Sequence, residues 1–212
     1  MKLSITCFAQ LTSLVYASIV DRQLLAYAPV PSSAYTAPVP TGITTLLNFI
    51  HTRPELSNLS ALVEDVPGFV QAFNTPTSWK YTFFAPSNTA FDKTGQYFET
   101  FANTPKGKWW LGNLLQHHYV PNTELKSSAF NSTALRFQTG SFLYIGAQVD
   151  GDQLRLNNAS TVTEADIPVT NGLVHIIDHF LDPSAQIFEA DLPRASQSFI
   201  AGSCSNTALP YC

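Results

Sequence analysis

Five histidines, at positions 51, 117, 118, 175 and 179, are the side chains of this sequence best suited to chemistry. Imidazoles bind zinc and copper, and His118 and His175 can meet if the helix bearing one packs on the strand bearing the other. A metal centre needs three or four convergent ligands with partners behind them, so no metal is expected. A copper oxidase would need paired H-x-H motifs and several hundred residues, and neither is present. Gly202-Ser203-Cys204 does not supply the G-x-S-x-G elbow of a serine hydrolase. Glu164, Asp166 and Asp178 read as loop and strand-end residues rather than as a glycosidase pair. No catalytic residue and no cofactor is therefore expected, and binding becomes the chemistry to look for.

Large aromatic side chains are the natural binders. Trp79, Trp109 and Trp110 flank predicted helices. Tryptophan usually fills a core, but Trp109 and Trp110 can instead form an exposed aromatic shelf, and they are the candidate ligand-binding residues. Three N-x-S/T sequons, at Asn58, Asn131 and Asn158, are candidate glycosylation sites.

These residues sit in a chain of 212 residues with 45% apolar and 12% charged side chains, enough for one domain with tails. The net charge of −4 argues against nucleic-acid or anionic-membrane partners. Lys2 followed by an apolar run to Tyr16 and small residues before Ser18 reads as a signal peptide over 1–17, shorter than a membrane span. Cys7 leaves with it. Cys204 and Cys212 then remain in an oxidising compartment and are expected to pair, constraining the tail alone by roughly 2.5 kcal/mol. Residues 18–42, with APVPSSAYTAPVPT, read as an extended lead-in, and 184–212 as a tail without a lipid-anchor signal. The expected product is secreted and extracellular.

The elements that must position the candidates lie between these tails. Leu46, Leu47, Phe49 and Ile50, then Leu59, Leu62, Val63 and Val66, fall at helical spacing, and Phe69, Val70 and Phe73 extend that surface. Tyr81–Phe84 reads as a strand ended by Pro86. Trp110–Tyr119 reads as a helix with Leu111, Leu114, Leu115 and His118 on one stripe and His117 about 100° round from it. Strands are predicted at 135–138, 142–147, 153–156, 161–169 and 173–181, with Asp150-Gly151 as the centre of a two-residue hairpin. In the last strand Leu173, His175, Ile177, His179 and Leu181 are expected on one face. Helices first and strands later, without βαβ alternation, give an α+β class.

Three segments of this region resemble the fasciclin (FAS1) family in order and spacing. TFFAPSNTAF, Thr82 to Phe91, is similar to the signature T-x-F-A-P-[ST]-N-x-A-F, with Thr82, Phe84, Ala85, Pro86, Asn88 and Phe91 at its fixed positions. NGLVHIIDHFL is similar to the second signature, with Asn171, Gly172, His175 and Asp178 in place. Between them the family's Tyr-His pair is replaced by His117-His118. The resemblance spans residues 43–183 and implies a wedge-like β-sandwich with helices along an edge. It implies structural hydrogen-bonding roles for His118 and His175, leaving His117 and His179 exposed. Independently of the resemblance, Ser87 or Asn88 can cap the short helix that follows Pro86.

The resemblance also implies two kinds of function. Many members act in cell or matrix adhesion, often with several modules or an anchor. Small fungal members accompany a secreted laccase and assist oxidative coupling of aromatic polyketide pigments, and this chain is similar to them in size and leader. Laccase and an aromatic polyketide are then the expected partners, with an adhesion or glycan-binding module as the alternative.

Overall fold

The computed structural model describes residues 44–183, 193 and 195–197. The signal peptide, the proline-rich lead-in, Cys204 and Cys212 lie outside the described residues.

The helical half opens with α1 (Leu46–Thr52), whose first turn is capped by the Thr45 hydroxyl accepting from Asn48 N–H at 3.2 Å. A 3₁₀ turn at Pro54–Leu56 leads into α2 (Ser57–Asp65), and α3 (Phe69–Asn74) follows. After β1 (Tyr81–Pro86) come α4 (Asn88–Asp92), α5 (Gln96–Ala102) and α6 (Pro105–His117). The remaining strands are β2 (Tyr119–Pro121), β3 (Leu135–Gln138), β4 (Tyr144–Asp150), β5 (Gln153–Leu156), β6 (Ser160–Val169) and β7 (Gly172–Ile177). The α+β class follows directly from this order.

The seven strands run in the order β2-β1-β7-β6-β5-β4-β3, with β1 parallel to β7 and every other pair antiparallel. β6 bridges the two halves of the sheet. Its first residues pair with β5 and the rest with β7, across irregularities at Val162/Glu164 and Glu164/Ile167. Such bulges bend a strand and raise its twist. The β2-β1-β7 half consequently faces the β3-β4-β5 half, and Phe84, Val120, Phe137, Ile145, Leu156 and Ile177 form the apolar interior between them. A second core lies on the outer face of β1 and β7, where Phe83, Ala85, Val174 and Ile176 meet Ile50, Leu59, Leu111 and Leu115 of the helices. β1 and β7 are thus buried on both faces, which is why they read as continuous apolar runs.

Four departures from the sequence expectation exceed a residue or two or move a turn, and each has a local cause. α6 starts at Pro105 rather than Trp110, because Thr104 accepts from Gly107 N–H at 3.0 Å and Pro105 occupies the first helical position. β4 starts at Tyr144 because Phe142 adopts φ +64° in the preceding turn. The hairpin centre is Gly151-Asp152, since Asp150 pairs with Gln153. Only Gly151 has positive φ, at +62°, the pattern of a type II′ turn. β7 stops at Ile177, so the single face expected from Leu173 to Leu181 is broken. Ile177 and Leu181 enter the interior, whereas His179 stays half exposed beside Asp178.

At the far edge of the sheet, chain beyond the domain returns to β3. Arg136 N–H donates to Pro193 O at 2.9 Å and Ala195 N–H donates to Arg136 O at 2.8 Å, covering part of an edge that would otherwise be open.

Candidate functional site

A cleft of about 570 Å³ lies where α5 meets the start of α6, lined by Phe101, Pro105, Lys106, Trp109 and Trp110. Gly107 creates it. A Cβ at this position would stand 1.8 Å from Phe101 O, so only glycine lets the two helices approach so closely. The close crossing sets Phe101 edge-on to Trp110 at 5.7 Å, and Phe98 braces the other side of Trp110 at 5.6 Å. Trp110 is half-buried by these contacts, whereas Trp109, next along the helix, is 75% exposed. The structure thus brings both predicted tryptophans to one apolar surface, beside an ammonium from Lys106. Such a surface can stack a planar aromatic molecule and donate to a phenolic oxygen at its edge. Its volume falls within the range of small-molecule sites. Trp79 stands elsewhere, half exposed, donating from Nε1 to Tyr119 Oη at 2.8 Å.

The histidines have different duties. His118 donates from Nδ1 to Leu114 O at 2.7 Å and accepts Leu181 N–H on Nε2 at 3.0 Å. His175 donates from Nε2 to Leu125 O at 2.8 Å, accepts Asp166 N–H on Nδ1 at 3.3 Å and stacks on Phe84. Each ring is buried and neutral with both nitrogens engaged, leaving no lone pair for a metal. Burial lowers the His118 pKa to about 3, partly offset by the Leu114 carbonyl, and lowers that of His175 as well. Among the described residues no group of three or more His, Cys, Asp or Glu is placed to hold a metal ion.

His117 corrects the sequence expectation of an exposed ring: it is only 1% exposed. Its Nδ1 lies 3.1 Å from Thr139 Oγ1 and 2.9 Å from Ser141 Oγ, tying the end of α6 to the β3–β4 turn. Burial lowers its pKa to about 4, against a smaller opposing pull from Asp182. Helical spacing away from the apolar stripe suggested solvent, and the missing information was that the β3–β4 turn folds over that flank. His179 is half exposed, 3.0 Å from Asp178 and 3.3 Å from Lys93 Nζ.

The remaining motif residues are architectural. Thr82, fully buried, donates to Thr123 O and accepts Leu125 N–H, both at 2.8 Å. Phe84 and Ala85 fill the two cores, and Pro86 is the last residue of β1, paired with Ile177. Ser87 occupies the N-cap of α4 without a side-chain bond. Asn88 instead reaches across to cap α2, accepting Asn58 N–H and donating to Pro54 O and Ser57 Oγ, each at 3.0 Å. Phe91 packs edge-on to Phe180 at 4.8 Å. Asn171 takes φ +57° in the turn before β7, and a Cβ at Gly172 would stand 2.6 Å from the Tyr81 ring. Asp178 accepts Thr161 N–H at 2.6 Å and pairs with Lys93 and His179; burial pushes its pKa up, but these bonds outweigh it and bring it to about 2. Asp166 is likewise held down by Ser127, and Glu164 pairs with Arg53. The three acids serve three separate contacts.

Sequence reasoning missed a second concavity. A groove of about 520 Å³ runs between α2 and α5, with Leu62, Phe91 and Phe98 along its floor and Asn58, Asp92 and Glu99 at its rim. Its walls come from segments some thirty to forty positions apart, so no local pattern marks it.

Residues 54–183 match the Fasciclin domain family. The chain belongs to the fasciclin family. A FAS1 domain pair from the insect cell adhesion molecule Fasciclin I shares the fold, with a TM-score of 0.55 and 18% identity over 68% of this chain and 53% of that one. The aurofusarin biosynthesis cluster protein S of Gibberella zeae is 35% identical over 81 residues, 38% of this chain and 20% of that protein. The cell surface glycolipoprotein MPB83 of Mycobacterium bovis is 32% identical over 135 residues, 63% of this chain and 58% of that protein. Human periostin is 26% identical over 144 residues, 67% of this chain and 16% of that protein. This fasciclin chain therefore spans only a fifth or less of the length of periostin and the aurofusarin cluster protein.

Proposed function

We propose that this fasciclin protein is secreted, has no catalytic centre of its own, and holds a phenolic aromatic polyketide for an extracellular oxidase such as a laccase. The observation that carries the reading is the aromatic shelf, where Trp109 is 75% exposed beside Trp110 and Phe101. Trp110, set edge-on to Phe98 and Phe101, is a braced wall of the shelf, so stacking a flat ligand on it costs little ordering. The similarity to an aurofusarin cluster protein supports a polyketide as the ligand. Holding one face of a phenol restricts which carbons of its oxidised radical can meet a second radical, so positioning alone changes the isomer formed.

Titration with a polyhydroxynaphthalene probe, followed by calorimetry, tests the site. Trp109→Ala is expected to weaken binding by about tenfold with no change in melting temperature, because its ring is largely in solvent. Equal affinity of variant and wild type would remove the shelf from the account. The similarity to Fasciclin I and to a cell surface glycolipoprotein keeps adhesion as a second reading, tested by attachment of protein-coated beads to cells.

A further inference from the structure

The groove between α2 and α5 lies beside a sequon, and the two features explain each other. Asn58 is exposed and forms part of the groove rim. Its backbone N–H is held by Asn88 Oδ1 at 3.0 Å, which fixes where the side chain leaves α2. Opposite stand Asp92, Gln96 and Glu99, carboxylate and amide groups suited to the hydroxyl and acetamido groups of a sugar. The half-buried Phe91 and Phe98 offer an apolar floor to a pyranose C–H face. The groove volume of about 520 Å³ accommodates the first two residues of an N-linked glycan.

We propose that the groove is the seat of the glycan carried by Asn58, whose proximal N-acetylglucosamine residues lie along α5. Protein surfaces bind free sugars weakly, but a tethered sugar meets its site at an effective concentration in the millimolar range. A weak site next to its own attachment point is therefore filled, and a free saccharide cannot displace the occupant. Asn131 and Asn158 differ in setting. Both are exposed on turns of the sheet half, where Asn131 Oδ1 accepts Thr133 N–H and Asn158 Oδ1 accepts from Gln148. The inference rests on the secretory reading above, and the experiment separates the two.

The full chain is secreted from a eukaryotic host, and peptide mass spectrometry assigns glycans at each sequon. The native protein is then treated with an endoglycosidase that cuts within the chitobiose core. The glycan at Asn58 is expected to be released at least tenfold more slowly than one at Asn131 or Asn158, with the difference abolished by denaturation. Asp92→Ala combined with Glu99→Ala, both exposed side chains, should bring Asn58 to the common rate. An unmodified Asn58 in a protein glycosylated elsewhere, or equal native release, overturns the proposal and leaves the secretory reading intact. A chain retained inside the cell, or secreted without any glycan, overturns it too, and retention alone also removes the secretory reading.

Discussion

The buried imidazoles of His118 and His175 are each held in one tautomer by a backbone carbonyl, and His117 is buried against two hydroxyls; all three have a measurable consequence in acid. The unfolded histidine pKa is about 6.5, while burial holds His117 near 4 and His118 near 3 and lowers His175 as well. Between those values the unfolded chain binds protons that the folded chain refuses. Stability is therefore complete above about pH 6.5 and falls as the pH drops toward 4. His117→Gln, which keeps a hydrogen-bonding group toward Thr139 and Ser141, should reduce the slope of unfolding free energy against pH by up to about 1.4 kcal/mol per unit in that window. Denaturant titrations across the range check this, and an unchanged slope would mean that His117 is not buried. Thr82→Val tests the neighbouring polar contact. It keeps the volume but strips bonds from Leu125 N–H and Thr123 O, so a loss of about 1 to 3 kcal/mol is expected in chemical unfolding. At this scale the sequence was readable for His118 and His175 through their motif positions. It was unreadable for His117, because Thr139 and Ser141 are more than twenty positions away.

Helix and strand identities were largely legible, since the apolar periods of α1, α2 and β3 and the double-sided runs of β1 and β7 are local properties. What escaped were contacts between elements. Gly107 lies ahead of the helix expected from Trp110, yet it is where α5 touches α6. Gly107→Ala should therefore cost well above the usual gain from a helical alanine, about 2 kcal/mol or more, and should shift the near-ultraviolet signal of Trp110 as the helices part. A stabilised variant with an unaltered spectrum would contradict the close crossing. Asn88 looked like a cap for its own helix and instead caps α2, thirty positions earlier. Asn88→Ala should lower the stability by about 1 to 2 kcal/mol and raise hydrogen exchange at Asn58 N–H, its direct partner.

Among the described residues, the shelf and the groove both lie on the helical side of the sheet. The class and the wedge were implied by two signatures nearly ninety positions apart, which the parallel β1–β7 pairing puts side by side. The shelf was half legible, as two adjacent tryptophans, but Phe101 and the glycine that seats it were visible only in the fold. Under the proposed function the helical side is the working face, and positioning a substrate there is its central claim. It is tested most directly by oxidising a hydroxynaphthalene polyketide with a laccase in the presence and absence of this protein and resolving the coupled dimers by chiral chromatography. The protein is expected to shift the regioisomer or atropisomer ratio several-fold, with Trp109→Ala returning it to the value of laccase alone. Identical product ratios in all three reactions would contradict the account.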